Sequence, residues 1–131
     1  MRKIILSIIL CLFFSFAFSQ ARIGYTKNDI KKEYEHNLNF KILKDGHGEF
    51  FQVKLQSSIT YYYFDMDDLC YMTIIVPNGI LDKESLIRDY NSRYKKTSND
   101  KWELKEKFGT CNIELRNQSN GGYYFLWRKA F

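Results

Sequence analysis

The sequence predicts an α+β domain. It should form one antiparallel sheet of about seven strands, in the order α-β-β-β-β-α-β-β-β, with two helices packed on one face. Three observations carry this. Two segments have matched helix start signals. The rest alternates between apolar and polar residues in short runs separated by turn clusters. The chain also has eleven Phe and ten Tyr but one Pro and seven Gly, which suits a folded, strand-rich domain.

Residues 1–19 read as a secretory signal peptide. Met1-Arg2-Lys3 is basic, and Ile4 to Phe18 is apolar apart from Ser7, Cys11 and Ser15. Ala17-Phe18-Ser19 then offers small residues to a peptidase, with cleavage near Ser19/Gln20. The apolar run is short of the ~20 residues a spanning helix needs. Leu10 before Cys11 argues against a lipid-anchor site. The chain is therefore expected outside the cytoplasm, periplasmic or released, with no transmembrane segment after cleavage. Residues 20–131 then form a single α+β domain.

The first helix is expected near 27–37. Thr26 is a good N-cap, Asp29 lies three residues on, and Tyr25 can staple onto Ile30. Ile30, Tyr34 and Leu38 mark its apolar side. Four strands follow. Phe40-Lys41-Ile42-Leu43 leads into the Asp45-Gly46-His47-Gly48 turn. Glu49 to Gln56 alternates, with Phe51, Val53 and Leu55 on one face. Ile59 to Phe64 contains Thr60 and three tyrosines. After the Asp65-Met66-Asp67-Asp68 turn, Leu69 to Val76 is the most apolar run beyond the signal and reads as a central strand. Pro77-Asn78-Gly79 ends it.

The second helix is expected near 83–96, with Asp82 as cap and Leu81 and Leu86 as staple. Leu86, Ile87, Tyr90 and Tyr94 share its apolar side, and Lys95 and Lys96 suit the C-terminal dipole. Three strands remain: Trp102 to Phe108, then Cys111, Ile113 and Leu115 on one face, then Tyr123 to Trp127 after a polar loop. The two halves share an outline, a helix followed by a meander, with no residue-level repeat.

The formal charge is +5; with Arg2 and Lys3 set aside, 18 Lys and Arg face 15 Asp and Glu, a surplus of +3. Cations and anions interleave along the chain, so no nucleic-acid partner is expected. Cys70 and Cys111 are the cysteines left after cleavage. In an oxidising compartment they are a candidate disulfide, closing a loop of about 40 residues at about 3–4 kcal/mol. The competing reading is two separate buried thiols. Cys70 is expected to share a face with Met72, Ile74 and Val76.

No motif for a cofactor is present. Asp65, Asp67 and Asp68 are the best metal candidates, yet a calcium loop would need Gly and Glu where Cys70 and Val76 stand. An acidic hairpin turn accounts for them. His36 and His47 lack zinc-ligand spacing, and no serine sits in a nucleophile elbow. Asn117-Gln118-Ser119 fits the N-glycosylation pattern. The aromatic strands are more informative. Tyr61, Tyr62, Tyr63, Tyr123 and Tyr124 put rings on both faces of their strands. Those turned from the core are candidate binding residues, since Tyr is enriched at interaction hot spots; ordinary cross-strand packing is the plainer account.

Ile23-Gly24-Tyr25-Thr26-Lys27-Asn28-Asp29-Ile30 resembles the start of small exported bacterial domains, the BamE-type assembly lipoproteins and β-lactamase-inhibitor-like domains. This chain departs from them in having no lipid-attachment cysteine. The Phe18-Ser19-Gln20 signal ending, Tyr62-Tyr63-Phe64-Asp65 followed by Cys70, and the Lys, Asn and Tyr-rich composition are similar to small secreted Bacteroidota proteins of unassigned function. That likeness implies an envelope location. Together these features point to a non-catalytic exported domain that binds an envelope protein or, as a second choice, a glycan. The alternatives are a secreted hydrolase built on His47 and the Asp65–Asp68 turn, and a purely structural envelope protein.

Overall fold

Thr26 opens the first helix as the sequence predicts: its hydroxyl accepts a hydrogen bond from the Asp29 backbone N–H at 3.1 Å. The computed structural model of the chain describes residues 21–106 and 109–130, and the expected signal peptide lies outside them. Helix α1 is Lys27–Tyr34 and helix α2 is Ile80–Arg93. The strands are β1 (Phe40–Asp45), β2 (Gly48–Lys54), β3 (Ser58–Phe64), β4 (Cys70–Pro77), β5 (Lys95–Ser98), β6 (Lys101–Glu106), β7 (Gly109–Asn117) and β8 (Tyr123–Lys129).

They form one antiparallel sheet in the order β1-β2-β3-β4-β8-β7-β6-β5. The class is α+β with an antiparallel sheet, but among the described residues the strands number eight rather than seven. The order maps onto itself when β1–β4 are exchanged with β5–β8. Each half is a helix and a four-strand meander, and the last strands of the two meanders pair at the centre.

The missed strand is β5. Lys95 and Lys96 read as the end of a helix because every residue of β5 is exposed and none alternates. It lies at one edge of the sheet, β1 at the other, and exposed lysines on both discourage pairing with a further chain. The second helix is correspondingly displaced from 83–96. Gly79 is its N-cap, without a side-chain cap, so Asp82 falls in the first turn. Leu81 is exposed and Tyr94 is already extended. The first helix stops at Tyr34, short of the expected 37, and Leu38 is exposed.

Register defines the two faces of the sheet. Phe51, Tyr62, Thr73, Trp127, Ile113 and Trp102 stand opposite one another in one row across six strands, all buried. Tyr34 of α1 stacks on Tyr62 with centroids 6.1 Å apart. Tyr90 of α2 packs edge-on against Trp102, Phe125 and Trp127 at 5.1–5.6 Å. Both helices therefore cover the same face. Buried indole nitrogens find partners there: Trp102 Nε1 donates to Asn91 Oδ1 at 2.8 Å.

The segment before α1 is tied to the start of β4. Gly24 N–H donates to the Cys70 carbonyl and Cys70 N–H to that of Tyr25, each at 2.8 Å, and the Thr73 hydroxyl donates to the Ala21 carbonyl at 2.5 Å. Among the described residues, no helix is long and apolar enough to cross a membrane.

Candidate functional site: the open face of the sheet

The residues that alternate with this row point away from the helices, and Leu126 alone of those named below is itself buried. Leu43, Phe50, Tyr63 and Met72 form one row across β1–β4, and Lys41, Gln52, Tyr61 and Ile74 the next. On the other half, Arg128, Asn112 and Glu103 continue the first row, and Leu126, Glu114 and Lys101 the second. Tyr124 lies opposite Arg116 on the same side. Neither helix packs on this face.

Its aromatics are organised. Phe50 stacks on Tyr63 with centroids 5.1 Å apart and planes 15° from parallel. Tyr61 is tilted against Phe50 at 6.4 Å, and its hydroxyl accepts a hydrogen bond from Gln52 Nε2 at 3.1 Å. Burial, and then the nearby Asp45 carboxylate, raise the Tyr63 phenol above its ordinary value. Its ring is half-buried, fixed in place yet accessible at one side. On the second half Glu114 holds Arg116 at 3.1 Å, with Arg128 at 3.9 Å. The Arg116 hydrogen bond lowers the Glu114 carboxyl below its ordinary range against a smaller opposing effect of burial. Lys41, Lys54, Lys101, Arg116 and Arg128 outnumber Glu103 and Glu114, so the face is basic as well as aromatic.

Three of the five candidate tyrosines, Tyr61, Tyr63 and Tyr124, are on this face. Tyr62 is on the other, fully buried, 3.5 Å from the Tyr34 hydroxyl and raised well above its ordinary pKa chiefly by burial. Tyr123 also faces the helices, with Lys83 Nζ 3.8 Å from its ring centroid. Phe50 was missed, although its signal was present: alternation with Phe51 and Val53 sends it to the opposite side. Tyr71, exposed near the start of β4, could not have been placed. The ladder slips there, Tyr63 facing Met72 but Phe64 facing Cys70, which leaves Tyr71 as an extra residue.

That bulge also corrects the expected neighbours of Cys70. Met72, Ile74 and Val76 face the open side, whereas Cys70 faces the core, 3.3 Å from the Thr73 hydroxyl. Cys111 does share its face with Ile113 and Leu115, but the two cysteines form no disulfide. Strand β8 runs between β4 and β7. Two strand spacings of about 4.8 Å separate the cysteines' strands by about 9.5 Å, beyond the roughly 4.4–6.8 Å a bridge spans. Burial pushes the Cys70 thiol up to about 11, with the Thr73 hydrogen bond opposing.

The acidic turn is a hairpin turn. Asp65 Oδ1 accepts from the backbone N–H groups of Asp67 at 2.9 Å and Leu69 at 3.0 Å, and Asp68 takes a left-handed φ of 58°. Among the described residues, no group of three His, Cys, Asp or Glu side chains is gathered to hold a metal ion. The hydrolase reading needed this turn beside His47. Register does bring the β1–β2 and β3–β4 turns to the same end of the sheet. His47 is nonetheless exposed, its N–H held by Asp45 Oδ1 at 2.8 Å. The nearby groove of about 290 Å³ is lined by Asp68 and by the Lys27–Glu49 pair, not by His47.

No family model, no curated protein and no solved structure matches the chain.

Proposed function

We propose that this chain is a non-catalytic binding domain, exported to the cell envelope, that takes a protein partner on the open face of its sheet. One observation carries the reading: a sheet covered on one side presents a stacked aromatic patch and a cationic surplus on the other. The partner that fits is an envelope protein with an apolar surface bordered by carboxylates.

Dimensions favour a protein over a sugar. Seven spacings of about 4.8 Å and strands of about six residues at about 3.3 Å each make the face roughly 34 Å by 20 Å. This is on the order of 700 Å², near the ~800 Å² per partner of a standard interface. Tyr61 and Tyr63 supply rigid, half-buried rings of the kind that dominate binding energy.

In-cell photo-cross-linking tests it. A photoreactive residue at position 61 or 63 should capture one dominant envelope protein, and the same residue at exposed Ser85 on α2 should not. Equal capture from both positions, or none from 61 and 63, defeats the reading.

A further inference from the structure

On the helix side of the sheet lies a cleft of about 670 Å³ between the segment before α1, the end of α2 and strands β6–β8. Its size is that of a small-molecule site. Ile23, Tyr94, Leu104, Cys111 and Trp127 supply apolar wall, and Arg22 and Arg93 line it as well. We propose that this cleft binds an amphipathic carboxylate, a long-chain carboxylic acid whose tail lies against Leu104 and Trp127 and whose head meets Arg22.

Arg22 is the reason for an anionic head. A guanidinium inside a protein is retained only where it is held, and this one is held by Glu33 and by the Tyr25 ring. Its backbone sits in the left-handed region, φ 52°, where an L residue is strained. Its side chain is 7% exposed and pairs with Glu33 through Nη2. It also lies over the Tyr25 ring, 5.2 Å from the centroid. Its Nε is buried without a hydrogen-bond partner among the described residues. Glu33 thus uses one edge of a five-donor fork and leaves donors for a second carboxylate, the geometry arginine matches best. Lys95, Glu103 and Lys105 complete the lining, and its apolar part, with a Trp and a Leu, suits a hydrocarbon tail.

The test uses protein purified from cells expressing the full chain and a dansyl-labelled undecanoic acid as probe. Saturable binding at one site per chain is expected, with displacement by dodecanoate at least tenfold more effective than by dodecanol and none by acetate. Leu104→Trp should fill the cleft and weaken the probe at least tenfold. Arg93→Gln, at the half-buried end of α2, should reduce the preference for dodecanoate over dodecanol in a chain that still unfolds cooperatively in urea. Absence of saturable binding, equal displacement by dodecanol, or probe affinity unmoved in folded Leu104→Trp each overturns the proposal. This outcome is independent of cross-linking from the opposite face.

Discussion

Trp127 Nε1 donates a hydrogen bond to the Tyr90 hydroxyl at 3.3 Å, joining the last strand to the second helix inside the core. Both groups are buried, and burial keeps the Tyr90 phenol protonated far into alkali against the smaller effect of this bond. Tyr90→Phe should leave the indole N–H without its acceptor and cost about 1–2 kcal/mol. Tyr90→Ala should cost about 3–5 kcal/mol, because Trp102, Phe125 and Trp127 lose their common neighbour. Urea unfolding monitored by tryptophan fluorescence measures both.

The adjacent tyrosines of β3 should separate cleanly. Tyr61→Ser with Tyr63→Ser should weaken partner capture while the unfolding midpoint moves little, since both rings are on the open face. Tyr62→Ser should destabilise the domain by about 3 kcal/mol or more, since it empties a fully buried site. A Tyr62→Ser chain as stable as the parent would contradict the register.

Thr60 is fully buried between Val53 and Ile75, and its hydroxyl has no hydrogen-bond partner among the described residues. Thr60→Val keeps the shape and removes a desolvated polar group. It should stabilise the domain by about 1 kcal/mol, read as an upward shift of the urea midpoint.

Both thiols should be silent towards iodoacetamide in the folded protein at neutral pH, because they are buried and Cys70 stays protonated to about pH 11. In urea without reductant both should be alkylated, as intact mass will register. No labelling of either in urea would mean a disulfide.

Glu114 gives the acid limb a defined sign. Its folded pKa lies below the ordinary 4.5. The stabilisation is therefore present above the unfolded pKa and is lost as pH falls through the folded one. Glu114→Gln should flatten the stability profile in that window and leave it parallel to the parent near neutrality. Denaturant midpoints taken at falling pH would reveal an unaltered acid limb if the pairing with Arg116 is absent in solution.

Much of this architecture was legible in the chain itself. Thr26 with Asp29, the alternation around Phe51 and Val53, and the tyrosine run of β3 are local signals. They announce a cap, a two-sided strand and a β-former without reference to the rest of the molecule. Where the local signal was absent, reading failed. Lys95–Ser98 becomes a strand because β6 offers it an edge, and an exposed edge strand has no apolar periodicity to display. Tyr71 is displaced by a ladder slip that depends on β3, and beyond it every inference about the face of Cys70 reverses.

By itself, the sequence determined the α+β class, the two helical segments, and the existence of aromatic strands with rings on both sides. Only tertiary structure decided which side was which. A strand's alternation has period two and is blind to sign. Tyr61 and Tyr63 face outward, and Tyr62 inward, because Tyr34 of a helix 28 residues earlier settles on Tyr62. The same holds for the cysteines. Their separation is set by β8 running between their strands, and β8 is the last strand of the chain.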